Sequence, residues 1–181
     1  RFAKKVHVDE LFLKMRNTHY FLWDAICSQT RFFFYYFSIY RNFESARALL
    51  LQCPQANVVV SDGAFSYPRV IRERYHGNAK HVQCVEFEDK KNNNLIERMQ
   101  NTLRRFLHPR RGFHSLETGN LQIAGFWAYY NFVRTHTTLG KTPAEAAGVL
   151  EPWKNLKNQK QRLAALLNRA VILWLIFHQP K

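Results

Sequence analysis

At 181 residues the chain is long enough to bury one sizeable core, roughly 70% of the surface its unfolded form exposes. Fifteen Phe, eight Tyr and four Trp against seven Gly and six Pro exclude a disordered or low-complexity chain and predict a packed fold. Twenty-seven Lys and Arg over thirteen Asp and Glu leave a net charge of +14, a field that attracts polyanions, so nucleic acid is the expected partner and an anionic membrane surface the weaker rival.

In chain order, three apolar runs come first: VHVDELFLKM, HYFLWDAIC and RFFFYYFSIY, between Val6 and Tyr40, with polar breaks at Arg16 to Thr18 and Ser28 to Thr30. β-Branched and aromatic runs between tight polar breaks predict an antiparallel meander. The third run is apolar on both faces, as befits a strand covered on both sides or an edge strand against a partner. A helical pattern over Phe43 to Leu51, a strand NVVVS, a helix near Tyr67 to Tyr75 and a strand HVQCVEF follow. Helices then dominate, at Leu95 to Leu107, Leu116 to Arg134 and Leu156 to Phe177, with a basic loop HPRRGFHS between the first two. A meander followed by alternating strands and helices predicts an α/β layered sheet: three antiparallel strands, then two parallel ones, flanked by helices.

Cys27, Cys53 and Cys84 lie far apart without a CxxC pair, which argues against a disulfide framework or zinc site and fits a reducing cytoplasm. The apolar run AVILWLIF is far too short to span a bilayer, so a soluble protein with no membrane partner is expected.

Three acids stand out against this basic background. Asp9 interrupts the apolar strand VHVDELFL, and alternation places it on the face opposite Glu10. Asp62 follows NVVVS at the carboxyl end of a buried strand, where open α/β sheets bind ligands. On the helix from Leu95, Leu95, Met99, Leu103 and Phe106 form the predicted buried stripe, and Glu97, Asn101, Arg104 and His108 form a polar one. Singly, each acid has a plain structural explanation: a strand residue reaching water, an Asp-Gly turn, and an acid at a helix N-terminus. Together they suit hard divalent cations, because such ions take oxygen ligands and a pair of them can clamp the attacking and leaving oxygens of a phosphodiester.

The segments HVDELFLKM, VVVSDGAFSYP, NNNLIERMQNTLRRFLHPRRGFHSLET and YYNFVRTHTTLGKTPAEAAG, in this order, resemble the catalytic core of DDE transposases and retroviral-type integrases, most closely small prokaryotic insertion-sequence transposases of the insertion-sequence-six group. The resemblance implies an RNase H-like core over residues 1–148, with a helical extension over 149–181. It implies Asp9, Asp62 and Glu97 as catalytic ligands of two Mg²⁺ ions, replaceable by Mn²⁺, and metal-dependent DNA cleavage followed by strand transfer. It places a basic residue two helical turns after the glutamate, here Arg104, against DNA, with Asn101, Arg105, Arg110 and Arg111 as further contacts. Transposon ends and target DNA are the implied partners, a homo-oligomer such as a dimer the implied assembly, and a nucleoid-associated cytoplasmic protein the implied location. His136 is read as a capping or packing residue, since the two-metal mechanism needs no imidazole, and Asn93 and Asn94 as the turn and cap before the helix. Because the sequence as given starts close to the strand of Asp9, the upstream recognition element of many relatives is not expected within it, nor is sequence-specific end binding by these residues. An inactive DNA-binding remnant and an RNase H-like nuclease are the alternative expectations.

Overall fold

The computed structural model describes residues 3–15, 18–84, 93–108 and 115–149. Strands β1 (Ala3–Met15), β2 (Thr18–Cys27) and β3 (Phe33–Ser38) form the expected antiparallel meander. Helix α1 (Phe43–Gln52), strand β4 (Ala56–Ser61), helix α2 (Tyr67–Arg74) and strand β5 (Lys80–Gln83) follow. β4 runs parallel to β1 and β5 parallel to β4, giving a five-stranded sheet in the order β3-β2-β1-β4-β5. Helices α3 (Asn94–Leu107) and α4 (Leu116–Ala128), a π-helical turn Tyr129–Val133, and α5 (Pro143–Ala147) complete the described chain. This is the predicted RNase H-like mixed sheet with flanking helices.

Alternation along β1 divides the core in two. Val6 and Val8 point with Trp23 and Ala25 of β2 toward α1 and α2, where Leu49, Leu50, Tyr67 and Val70 are buried. Leu11, with Leu22 and Ile26, points the other way, toward Ile96, Met99 and Leu103 of α3 and Ile123 and Phe126 of α4. Each face of the central strands is therefore covered, which is why β4 reads as a continuous apolar run.

β3 is one of the two edge strands of the described sheet, and its aromatics pack on both sides: Phe34 against the α1/α2 core, Phe33, Tyr35 and Phe37 against the other. Its free edge is closed by Asn131, fully buried, whose Oδ1 accepts from the Phe33 N–H at 2.9 Å and whose Nδ2 donates to the Phe33 carbonyl at 2.8 Å. Asn131 lies in the π-helical turn, so the single helix predicted over Leu116 to Arg134 changes pitch there, and the Arg134 N–H reaches back to the Tyr129 carbonyl at 2.8 Å.

Two further sequence expectations shift. The buried stripe of α3 is Ile96, Met99, Leu103 and Leu107, with Leu95 and Phe106 half-buried at its margin, so the helix is rolled about one position from the predicted face. β5 ends at Gln83, although the Cys84 N–H still bonds the Ser61 carbonyl at 2.9 Å; the rest of its predicted length lies outside the described residues. So do Arg110, Arg111 and the segment 150–181, with its expected helix Leu156 to Phe177. No helix among the described residues is long and apolar enough to cross a membrane, and no disulfide joins the cysteines.

Candidate active site

The parallel pairing of β1 with β4 stops at His7↔Val60, while β1 continues in its pairing with β2 to Met15. A notch therefore opens beside β1 just past the carboxyl end of β4, and Asp62 stands at its mouth. An Asx turn fixes Asp62: its Oδ1 accepts from the Ala64 N–H at 3.0 Å. The preceding Ser61 hydroxyl donates to the Asp62 carbonyl at 2.8 Å and lies 2.9 Å from His81 Nε2. One Asx turn, a hydroxyl on its carbonyl and a strand end thus hold the acid in place.

Asp9 faces the notch from the α3 side. Its Oδ1 accepts from the Glu10 N–H at 2.9 Å and its Oδ2 from Gln100 Nε2 at 3.0 Å. Glu10 faces the opposite way, toward Arg41, whose Nε lies 3.4 Å from Oε1. One carboxylate oxygen from each of Asp9, Glu10 and Asp62 nevertheless lies within 4.8 Å of the other two. Alternation assigns the faces correctly, but where β4 has ended there is no neighbouring strand to keep them apart.

Concentrated acid in a half-buried notch changes the titration of its members. Burial, reinforced by the charges of Asp62 and Glu97, pushes the Asp9 carboxyl up to about 6. Burial and then the Asp62 charge push Glu10 to about 7, against the opposing pull of Arg41. A cation seated among these groups would reverse both effects, since it favours their charged forms.

Behind Asp9 stands Asp24, its directly opposed partner on β2, which is fully buried. Gln100 Nε2, itself buried, bridges the two acids, lying 3.1 and 3.4 Å from the Asp24 carboxyl oxygens. Burial, with the neighbouring Asp9 charge, raises the Asp24 carboxyl well above its ordinary range. His7, one alternation before Asp9 on the same face, is held neutral near neutral pH by burial and by Lys5, at about 4.

Of the site residues expected from sequence, the structure brings Asp9 and Asp62 together. Glu97 lies outside that three-carboxylate group; it is exposed in the first turn of α3, one turn before Gln100, and its charge is felt at Asp9. Asn101, Arg104 and Arg105 are exposed along the same helix. His136 forms an isolated backbone bridge with Lys141, its main-chain N–H bonding the Lys141 carbonyl at 3.0 Å. Asn93 sits at the N-cap position of α3 but makes no side-chain cap. Sequence reading missed Glu10, Asp24 and Gln100. A second acid inside the apolar run HYFLWDAIC was the available signal for Asp24, and helical spacing from Glu97 the signal for Gln100.

The donor set fits a hard divalent cation. It consists of carboxylates, and Glu10 Oε2 is buried with no hydrogen-bond partner.

Comparison with solved structures returns retroviral integrases. A chain of the simian T-cell lymphotropic virus intasome, solved with the PP2A regulatory subunit B56 gamma, superposes with a TM-score of 0.68 at 14% identity, covering 80% of this chain and 54% of that one. The present chain thus spans about half the length of that relative. The HTLV-2 integrase catalytic core, solved with magnesium in a trimeric form, gives 0.62 at 14% identity over 80% of this chain and 95% of that one. Its dimeric form gives 0.60 at 14% identity over 78% and 93%. No curated protein matches the sequence. At such identities these likenesses establish the fold, and the sequence itself establishes the family: the model of the DDE domain matches residues 3–136, and the chain belongs to that family of transposase domains.

Proposed function

We propose that this domain carries out Mg²⁺-dependent cleavage of DNA and strand transfer, with Asp9, Asp62 and Glu97 as the ligands of two ions. The observation that carries this reading is the convergence of Asp9 and Asp62 at the end of β4, beside a helix bearing Glu97 and a basic face, in a chain of the DDE domain family.

Each residue has a definable task. Asp62, fixed by its Asx turn, presents its second oxygen to the notch. Asp9, held by one backbone and one amide donor, keeps its remaining lone pairs directed there. Glu97 closes the site from α3. When bound, divalent cations there would activate a water or a 3′-hydroxyl as nucleophile and offset charge on the leaving oxygen. Arg104 and Arg105, with Asn101, offer donors for the phosphates on either side of the scissile bond and set its register without reading sequence. The basic excess of the chain draws the DNA toward this face. Assembly as a homo-oligomer, such as a dimer, would allow two DNA ends to be processed together.

A Mn²⁺-supported disintegration assay on a branched DNA tests this directly. Joining by the parent chain that is lost in Asp62→Asn and in Glu97→Gln, with DNA binding retained, is the expected result. Equal joining by the variants removes those ligands. Cleavage without joining identifies a nuclease, and DNA binding without any product identifies a non-catalytic DNA-binding protein.

A further inference from the structure

The notch holds one more acid than the proposed ligand set uses. Glu10 is 5% exposed at its side chain, so it is not a solvated surface acid. Its Oε1 is 3.4 Å from Arg41 Nε, and Arg41 is itself 48% exposed, a long and largely solvated ion pair of the kind that contributes little. Its Oε2 is buried and has no hydrogen-bond partner. A buried carboxylate oxygen with no donor calls for an explanation, and a cation is one that the neighbouring carboxylates favour.

A second orphan lies nearby. The Tyr67 hydroxyl, from the first turn of α2, is fully buried and also without a partner. Glu10 exerts the strongest carboxylate field upon it, followed by Asp24, Asp9 and Asp62. Two unpartnered polar groups, one on β1 and one on α2, thus flank the notch from the face opposite α3.

We propose that Glu10 is a cation ligand, and that one ion is held from both faces of the sheet by Asp9, Glu10 and Asp62, whose oxygens lie within 4.8 Å of each other. This rests on the metal-dependent reading above and adds to it a ligand from the α1/α2 side. The geometry depends on the end of β4: Asp9 and Glu10 are adjacent on one strand and point to opposite faces, so they can share an ion at the sheet edge but not across an intact ladder. Oε2 would bind the ion directly. The phenol of Tyr67 would bond one of the waters that a small, hard cation such as Mg²⁺ retains. Arg41 would hold Oε1 and leave Oε2 free for the ion.

The test is Mn²⁺ titration of the full chain without DNA, followed by calorimetry and by the electron paramagnetic resonance signal of free Mn²⁺. Glu10→Gln keeps the shape of the side chain and should weaken binding about tenfold or more, comparable to Asp62→Asn. Arg41→Ala removes the ion pair but not the carboxylate, and should leave affinity within about twofold of the parent. Thermal melts of each variant establish that it is folded. Mn²⁺ affinity unchanged in Glu10→Gln but lost in Asp62→Asn would overturn the assignment and leave Glu10 as a partner of Arg41. Affinity unchanged in Asp9→Asn and Asp62→Asn as well would overturn the metal reading itself.

Discussion

Replacing Gln100 by Leu tests how Asp9 is supported. The substitution keeps a similar volume on α3 but removes the amide that donates to Asp9 Oδ2 at 3.0 Å and to the Asp24 carboxyl at 3.1 and 3.4 Å. Asp24 is fully buried, and Gln100 supplies all its side-chain hydrogen bonds among the described residues. Leaving that carboxyl without a donor costs about 1–3 kcal/mol, and the lost bond to Asp9 adds about 1 kcal/mol. The expected total, about 2–4 kcal/mol, corresponds to a fall in Tm of roughly 4–16 °C for a domain of this size. Urea unfolding at pH 7 gives the free energy directly, and a double-mutant cycle isolates the contact. Asp24→Leu combined with Gln100→Leu removes donor and acceptor together, so the double variant should be at least about 1 kcal/mol more stable than the sum of the singles requires. Additivity within about 0.5 kcal/mol would refute the bridge.

The pH dependence of stability follows from the raised carboxyls. Between their ordinary range and about 6 for Asp9 or 7 for Glu10, the folded chain holds protons that the unfolded chain has released. Their contribution is therefore fully present below the ordinary carboxylate range and is lost as pH rises through 6 to 7, at most about 6 kcal/mol for the pair and less to the extent that each acid raises the other. Without divalent cations, melts should show a lower Tm at pH 8 than at pH 5, and Mg²⁺ should raise Tm more at pH 8, where it no longer competes with protons; equal Mg²⁺ effects at both pH values would contradict this. For DNA, Arg104→Ala should lower the slope of log affinity against log salt by about 0.9, one phosphate contact, and an unchanged slope would return Arg104 to solvent.

The sheet was legible because each strand carries its own local signal. The meander declares itself in three β-branched and aromatic runs, and β4 in an apolar run covered on both faces. The roll of α3 was less legible: Leu95 and Ile96 are both apolar, and helical spacing alone does not say which one faces the core. The π-helical turn was not legible at all, since it exists to bring Asn131 to the edge of β3, a contact between residues 98 positions apart.

At the site, sequence identified acids by their isolation in apolar or strand-end settings, which found Asp9 and Asp62. The same logic passed over Glu10 because alternation sets it on the other face from Asp9. That rule is right about direction and incomplete about neighbourhood, for it presumes a strand on each side. β1 has β4 beside it up to His7, and beyond that residue the direction of a side chain no longer separates the two faces. Asp24 escaped for the complementary reason. Its importance comes from register, which places it opposite Asp9, and from an amide arriving from α3, and neither is written in the run HYFLWDAIC. The acids of this notch therefore divide by what supports them. Asp62 depends on its own turn, Asp9 on Gln100 and Asp24 behind it, and Glu10 on Arg41 at one oxygen and on nothing at the other. A buried carboxyl oxygen without a donor is balanced either by a proton, which the raised Glu10 carboxyl at about 7 takes up readily, or by the cation proposed above, and the two compete.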